Sequence, residues 1–292
     1  GGAEEAADMG IDFTGKVAIV TGSGGGLGRC HALELARRGA KVVVNDLGGS
    51  VDGTGGSSEA AEKVVAEIKE AGGTAISNGS SVTDPEGVKN LVKQTMDAFG
   101  RIDILINNAG ILRDKSFKKM ELEDFKLVVD VHLLGSVYCT KAVWPIMSEQ
   151  NYGRIVMTTS PSGLYGNFGQ ANYGAAKLGL VGFMNTLKIE GKKQDIRINA
   201  ISPVAATRMT ENLMPKEMLD KIRPEKVSVG VVYLCSEDAP SGTVLQAMGG
   251  RFSVATVMEN AGVDLGDDCT VENVAANWDK ISDLTQAKPR SR

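Results

Sequence analysis

The sequence predicts an α/β fold: a doubly wound parallel sheet flanked by helices on both faces, as a single domain with a C-terminal extension. Three observations predict it. Apolar runs of strand length alternate with helical patterns from residue 16 to residue 201, the signature of a parallel sheet whose crossovers are helices. A glycine-rich turn, Thr21-Gly22-Ser23-Gly24-Gly25-Gly26-Leu27-Gly28, separates the first strand from the first helix. Residues able to do chemistry fall where strands end, and in such sheets the ligand crevice lies outside the carboxyl ends of the strands.

Taken in order, a short acidic tail (residues 1–12) precedes the strand Lys16 to Val20, the glycine turn and an amphipathic helix, Arg29 to Arg38. Gly39 stops that helix, and Lys41 to Val44 forms a second strand ending in Asn45-Asp46. Residues 47–58, LGGSVDGTGGSS, read as a loop excursion. Beyond it come helix Glu59 to Ala71, strand Thr74 to Ser77, helix Pro85 to Phe99, strand Ile102 to Ile106 and helix Glu121 to Met147. Strand Arg154 to Thr159, helix Tyr173 to Glu190 and strand Ile196 to Ile201 complete the alternation. There is no second composition regime and no repeat. Residues 13–250 are therefore expected as one domain, with 251–292 packed on it or on a partner subunit. In that extension Val271, Val274, Trp278 and Ile281 make one helical stripe behind a Thr270 N-cap.

Composition bounds the function. The 292 residues are 42% hydrophobic and 23% charged, with a net charge of -4, and no basic block can follow a nucleic-acid backbone. No apolar run approaches the ~18 residues of a membrane span, and the start lacks the basic and apolar regions of a secretory signal. A cytoplasmic protein is expected. Cys30, Cys139, Cys235 and Cys269 are too scattered for a metal site or a disulfide framework, and His31 and His132 are the only histidines.

Tyr173 and Lys177 share one helix face. Such a pair is often an ordinary surface contact, but here it has company. A free tyrosine ionises near pH ~10, and a neighbouring ammonium brings it toward neutrality. Ser160 ends a buried strand thirteen residues before Tyr173, where a hydroxyl can hold a substrate oxygen. The glycine turn offers N-H groups at a helix start to a pyrophosphate. Asp46, 24 residues after Gly22, stands where a carboxylate takes the adenosine ribose of NAD and repels a 2′-phosphate.

Thr21-Gly22-xxx-Gly26-x-Gly28, Asn107-Asn108-Ala109-Gly110, Ser160, Tyr173-xxx-Lys177 and Asn199-Ala200-Ile201-Ser202-Pro203 together resemble the short-chain dehydrogenase/reductase family, a Rossmann-type fold, over residues 13 to 250. The resemblance implies Tyr173 as general acid/base, Lys177 on the nicotinamide ribose and Ser160 on the reacting oxygen. It places Gly22, Gly26, Leu27, Gly28, Asp46, Ser81, Asn107, Ala109, Gly110 and Thr207 around NAD. His132 stands where the family usually has asparagine, and it would either relay protons or satisfy a backbone carbonyl.

The runs Val42 to Gly49, Asn107 to Asp114, Tyr165 to Tyr173 and Val271 to Pro289 resemble more closely the (3R)-hydroxyacyl-CoA dehydrogenase unit of multifunctional enzyme type 2. That implies NAD-dependent oxidation of a 3-hydroxyacyl-CoA, fatty or steroid side-chain, under a lid spanning Ala205 to Ile222. It also implies a homodimer, through helices that are apolar on more than one face, working with a separate enoyl-CoA hydratase. Rival readings are an NADPH-dependent 3-oxoacyl thioester reductase, a free hydroxysteroid or alcohol dehydrogenase, and a non-catalytic NAD-binding scaffold.

Overall fold

The computed structural model describes residues 10–48, 59–204 and 215–290. Thr207 and the first half of the expected lid lie outside the described residues, as does most of the 47–58 excursion. In chain order the elements are β1 (Val17–Val20), α1 (Gly26–Arg37), β2 (Lys41–Asn45), α2 (Glu59–Glu70), β3 (Thr74–Asn78), α3 (Pro85–Phe99) and β4 (Ile104–Asn107). They continue with α4 (Leu122–Val129), a π turn (Asp130–Leu134), α5 (Gly135–Gln150), β5 (Gly153–Thr158), α6 (Pro161–Tyr165) and α7 (Ala171–Glu190). After α7 come β6 (Ile196–Val204), α8 (Lys216–Lys221), α9 (Pro224–Leu234), β7 (Val244–Met248) and β8 (Arg251–Ala255).

The sheet has the order β3-β2-β1-β4-β5-β6-β7-β8, and every pairing from β3 through β7 is parallel. Strand order reverses between β1 and β4, which puts the ligand crevice at their carboxyl ends. β1, β4 and β5 are buried at every residue, as strands covered on both faces must be, so they read as unbroken apolar runs.

Three features depart from the sequence reading. The sheet runs on past residue 240 into β7 and β8, which a Gly249-Gly250 turn joins, both glycines having positive φ (54° and 85°). β7 is buried at only two of its residues and β8 at none, so neither makes a buried apolar run. β6 outlasts β5 by three residues, Ser202 to Val204. There Pro203 pairs only with β7, so its missing N-H leaves no partner unsatisfied. The expected helix 121–147 begins at Leu122, ends at Gln150 and is interrupted by the π turn around His132. Leu122–Gln150 has the length and mean hydropathy (1.2) of a membrane span, but it packs against α3, α7, β4 and β5 in the sandwich.

Residues from Ala255 onward form a second small unit. In it β9 (Met258–Glu259) pairs antiparallel with β10 (Lys288–Pro289). Thr270 caps α10 (Val271–Ala276) by accepting from the Asn273 N-H at 3.1 Å. The single stripe expected there is split at Asn277, where α10 ends and α11 (Trp278–Ile281) begins.

Candidate active site

The glycine turn and the end of β4 are one structure. Thr21 Oγ1 accepts from the backbone N-H groups of Asn108 (2.9 Å) and Ala109 (3.1 Å), and Asn108 Nδ2 donates to Gly22 O at 3.1 Å. Gly22, at φ +61°, has no room for a side chain, because a Cβ would lie 2.7 Å from Ala109 Cα. The other side of the turn is open. A Cβ on Gly25 or on Gly26 (φ +55°) would meet nothing within 4 Å, and no side chain caps α1 at Gly25. Bare N-H groups of a helix start facing open space fit a pyrophosphate, and Leu27 and Gly28 carry the first turn of that helix.

Asp46 closes the cradle. Its carboxylate accepts from Gly24 N at 2.7 Å and from Gly48 N at 2.6 Å, which aims it across the turn from the end of β2. Its remaining acceptor capacity can take a ribose hydroxyl of a dinucleotide. Ser81 lies beyond β3, its hydroxyl 2.8 Å from that of Thr83.

On the far side, Asn107 Nδ2 donates to Thr140 Oγ1 at 3.1 Å, and Thr158 Oγ1 donates to Asn107 O at 2.8 Å. These bonds fasten β4 to α5 and β5. Gly110 packs flat on the His132 ring, where no Cβ could fit. His132 is 3% exposed, and its Nε2 lies 2.7 Å from Ile111 O and 3.0 Å from Ile111 N. The ring is thus held on the Ile111 backbone, while the buried Nδ1 has no partner among the described residues. Burial, reinforced by Lys177, holds the imidazole well below its ordinary pKa, so the ring is neutral.

Ser160, Tyr173 and Lys177 converge as expected. Ser160 is the N-cap of α6 and accepts from Ser162 N at 3.1 Å. Its hydroxyl is near enough to the Tyr173 phenol to favour the ionised form. Tyr173 stands edge-on to His132, with ring centroids 5.1 Å apart at 85°. Lys177 is 3% exposed; its Nζ donates to Thr158 O at 2.6 Å and lies 5.3 Å from the centre of the Tyr173 ring.

The electrostatics correct one expectation. Burial pushes the Tyr173 phenol above its ordinary value, the nearby Ser160 hydroxyl opposes the rise and Asp114 adds to it. Burial also lowers Lys177 to about 7, so part of its charge is lost near neutral pH, and it does not offset the rise at the phenol. Sequence reasoning also missed Asn172. Its Oδ1 accepts from Tyr173 N at 2.7 Å, while its Nδ2 donates to Arg113 O at 3.0 Å and Asp124 O at 3.3 Å. One polar residue beside a motif leaves no periodic signal.

A glycine cradle, a carboxylate for a ribose and a Ser-Tyr-Lys cluster at one sheet edge define a nicotinamide-dependent oxidoreductase acting on CH-OH. Residues 16–218 match the short chain dehydrogenase family, and the chain belongs to it. It is 50% identical over 274 residues to a short-chain type dehydrogenase/reductase of Mycobacterium tuberculosis, covering 94% of this chain and 96% of that protein. It is 47% identical to the peroxisomal hydratase-dehydrogenase-epimerase of Saccharomyces cerevisiae, covering 94% of this chain but 31% of that one. The full-length peroxisomal multifunctional enzyme type 2 of Drosophila melanogaster superposes with a TM-score of 0.82 and 39% identity, over 97% of this chain and 48% of that one. The chain is thus a short-chain oxidoreductase related to the 3-hydroxyacyl-CoA dehydrogenase unit of that enzyme.

Proposed function

We propose that the chain oxidises a 3-hydroxyacyl-CoA to the 3-oxoacyl-CoA with NAD+. The observation that carries the reading is the convergence of Ser160, Tyr173 and Lys177 beside the glycine cradle that Asp46 closes. Bound NAD+ supplies the hydride acceptor. Tyr173 takes the hydroxyl proton, and Ser160 donates to the same oxygen as its negative charge grows. Lys177 holds the nicotinamide ribose. His132, fixed on Ile111, backs the phenol as a neutral ring with a free Nδ1 for proton traffic. Asp46 favours NAD over NADP because a 2′-phosphate would meet its carboxylate.

The thioester class rests on the kinship with multifunctional enzyme type 2. The hydratase joined to the dehydrogenase in the yeast relative's name supports a separate enoyl-CoA hydratase as partner. Leu178 and Ile189 leave the apolar side of α7 open at 46% and 51% exposure. A groove of about 610 Å³ floored by Gly163, Gly174 and Gly179 runs beside Leu178. Both features support a homodimer through α7.

The test is a spectrophotometric panel of NAD+ and NADP+ against 3-hydroxyacyl-CoAs of rising length, a steroid side-chain CoA and a free hydroxysteroid. NAD+-linked oxidation of the thioesters is expected. Turnover of the free steroid alone, or only with NADP+, would overturn the reading. Tyr173→Phe should lower kcat by ~10² or more while the reduced cofactor still binds.

A further inference from the structure

Between Ser160 and Tyr173 the chain makes hydrogen bonds that lead back to a carboxylate on the loop after β4. Gln170 Nε2 lies 3.1 Å from Asp114 Oδ2. Gln170 Oε1 accepts from Ser162 Oγ at 2.7 Å and from Asn167 Nδ2 at 2.9 Å. Ser162 N in turn donates to Ser160 Oγ at 3.1 Å. The two loops are also joined through their backbones, Lys115 N to Gly169 O at 2.9 Å.

Directions in this chain are not interchangeable. An ionised carboxylate only accepts, so Asp114 fixes which end of the Gln170 amide faces it. The amide oxygen is thereby turned to Ser162, whose hydroxyl must donate. With Ser162 held, its N-H occupies a lone pair of the Ser160 hydroxyl, and the Ser160 proton is left for the reacting oxygen and the Tyr173 phenol. We propose that Asp114 and Gln170 are positioning residues which, acting through Ser162, set the direction in which the Ser160 hydroxyl donates.

The charged neighbours of Tyr173 among the described residues are Asp114 and Lys177, with the neutral His132 ring beside them. Burial raises the Asp114 carboxyl and the Gln170 bond opposes that rise. A second carboxylate at Gln170 would face the first at hydrogen-bond distance, and both could then be seated only by sharing a proton.

The proposal rests on the functional reading, and a charge swap tests it. Gln170→Glu should lower kcat for a 3-hydroxyacyl-CoA about tenfold with little change in KM, and the loss should shrink toward acid pH. Asp114→Asn combined with Gln170→Glu restores a donor opposite an acceptor and keeps the Ser162 acceptor, so it should recover most of the rate. In parallel, the near-ultraviolet phenolate titration that disappears in Tyr173→Phe should move to higher pH in Gln170→Glu and return in the double variant. Equal losses in the single and double variants, or none in either, would overturn the proposal. Should no thioester be oxidised by the unmodified protein, the functional reading fails instead, and the phenolate titration still decides between the two outcomes.

Discussion

Gly24→Ala isolates the link between the glycine turn and Asp46. A Cβ at Gly24 would stand 2.6 Å from Asp46 Oδ2 and 2.8 Å from Ala60 Cβ, well inside van der Waals contact. The Asp46 carboxylate can swing away, but Ala60 belongs to the first turn of α2 and can yield only by moving backbone. Overpacking of this kind costs about 1–3 kcal/mol, a fall in Tm of about 3–9 °C for a domain of this size. Swinging Asp46 also gives up its 2.7 Å bond from Gly24 N and its aim at the ribose. A hydrogen bond to a charged group contributes ~1.5–3 kcal/mol, so the NAD dissociation constant should rise about ten- to a hundredfold. Isothermal titration with NAD+ and thermal unfolding measure both effects. Gly25→Ala is the control for Tm, since its Cβ meets nothing within 4 Å. Unchanged NAD affinity in Gly24→Ala would refute the role assigned to Asp46, and an unchanged Tm would refute the packing argument.

Arg154 is 1% exposed and donates to the carbonyls of Gly153, Asp195, Ser236 and Glu237. Arg154→Met strands those acceptors and should cost more than ~3 kcal/mol in urea unfolding; a cost under ~1 kcal/mol would contradict this. Burial lowers His31 to about 3 and His132 well below its ordinary value, so the unfolded chain binds protons that the folded one refuses as pH falls below about 6.5. Each histidine then removes about 1.4 kcal/mol of stability per pH unit, and the urea midpoint should drop between pH 7 and pH 5; a flat profile there would exclude two neutral buried imidazoles. The raised Tyr173 phenol should make oxidation climb on the alkaline side of neutrality, as initial rates across pH would show, and a rate falling above pH ~8 would oppose Tyr173 as the base. Gly182 is exposed on α7, and a Cβ there meets nothing within 4 Å. Gly182→Ala should therefore add about 0.5–1 kcal/mol to a single chain but weaken the proposed dimer on that face, so Tm should rise at low protein concentration and the gain should vanish at high; a gain at every concentration would count against α7 as the dimer face.

Much of this was readable before any coordinates. Strands buried on both faces must be apolar throughout, so β1, β4 and β5 announced themselves, and helix α3 fell where the sequence put it, from Pro85 to Phe99. The cluster of Ser160, Tyr173 and Lys177 was legible because its motif sets fixed residue types at fixed spacing. β7 and β8 were not, since an edge with half-exposed residues has no apolar run to show. The π turn hid inside an apolar helix because one extra residue in a turn leaves composition unchanged. The ionisation of the Tyr-Lys pair was misread for a different reason. Spacing says that two groups are near each other, whereas burial decides which of them keeps its charge, and burial is a property of the packed molecule.

The Thr21 hydroxyl, with its two backbone donors from Asn108 and Ala109, has a consequence for anyone exchanging parts between relatives. Through it the loop that receives the nucleotide and the strand end leading to the chemistry are fastened together, although more than eighty residues lie between them. A transplanted glycine loop should work only if residues 106–110 travel with it. Changes in cofactor choice and in turnover should therefore arise together more often than their separation along the chain suggests.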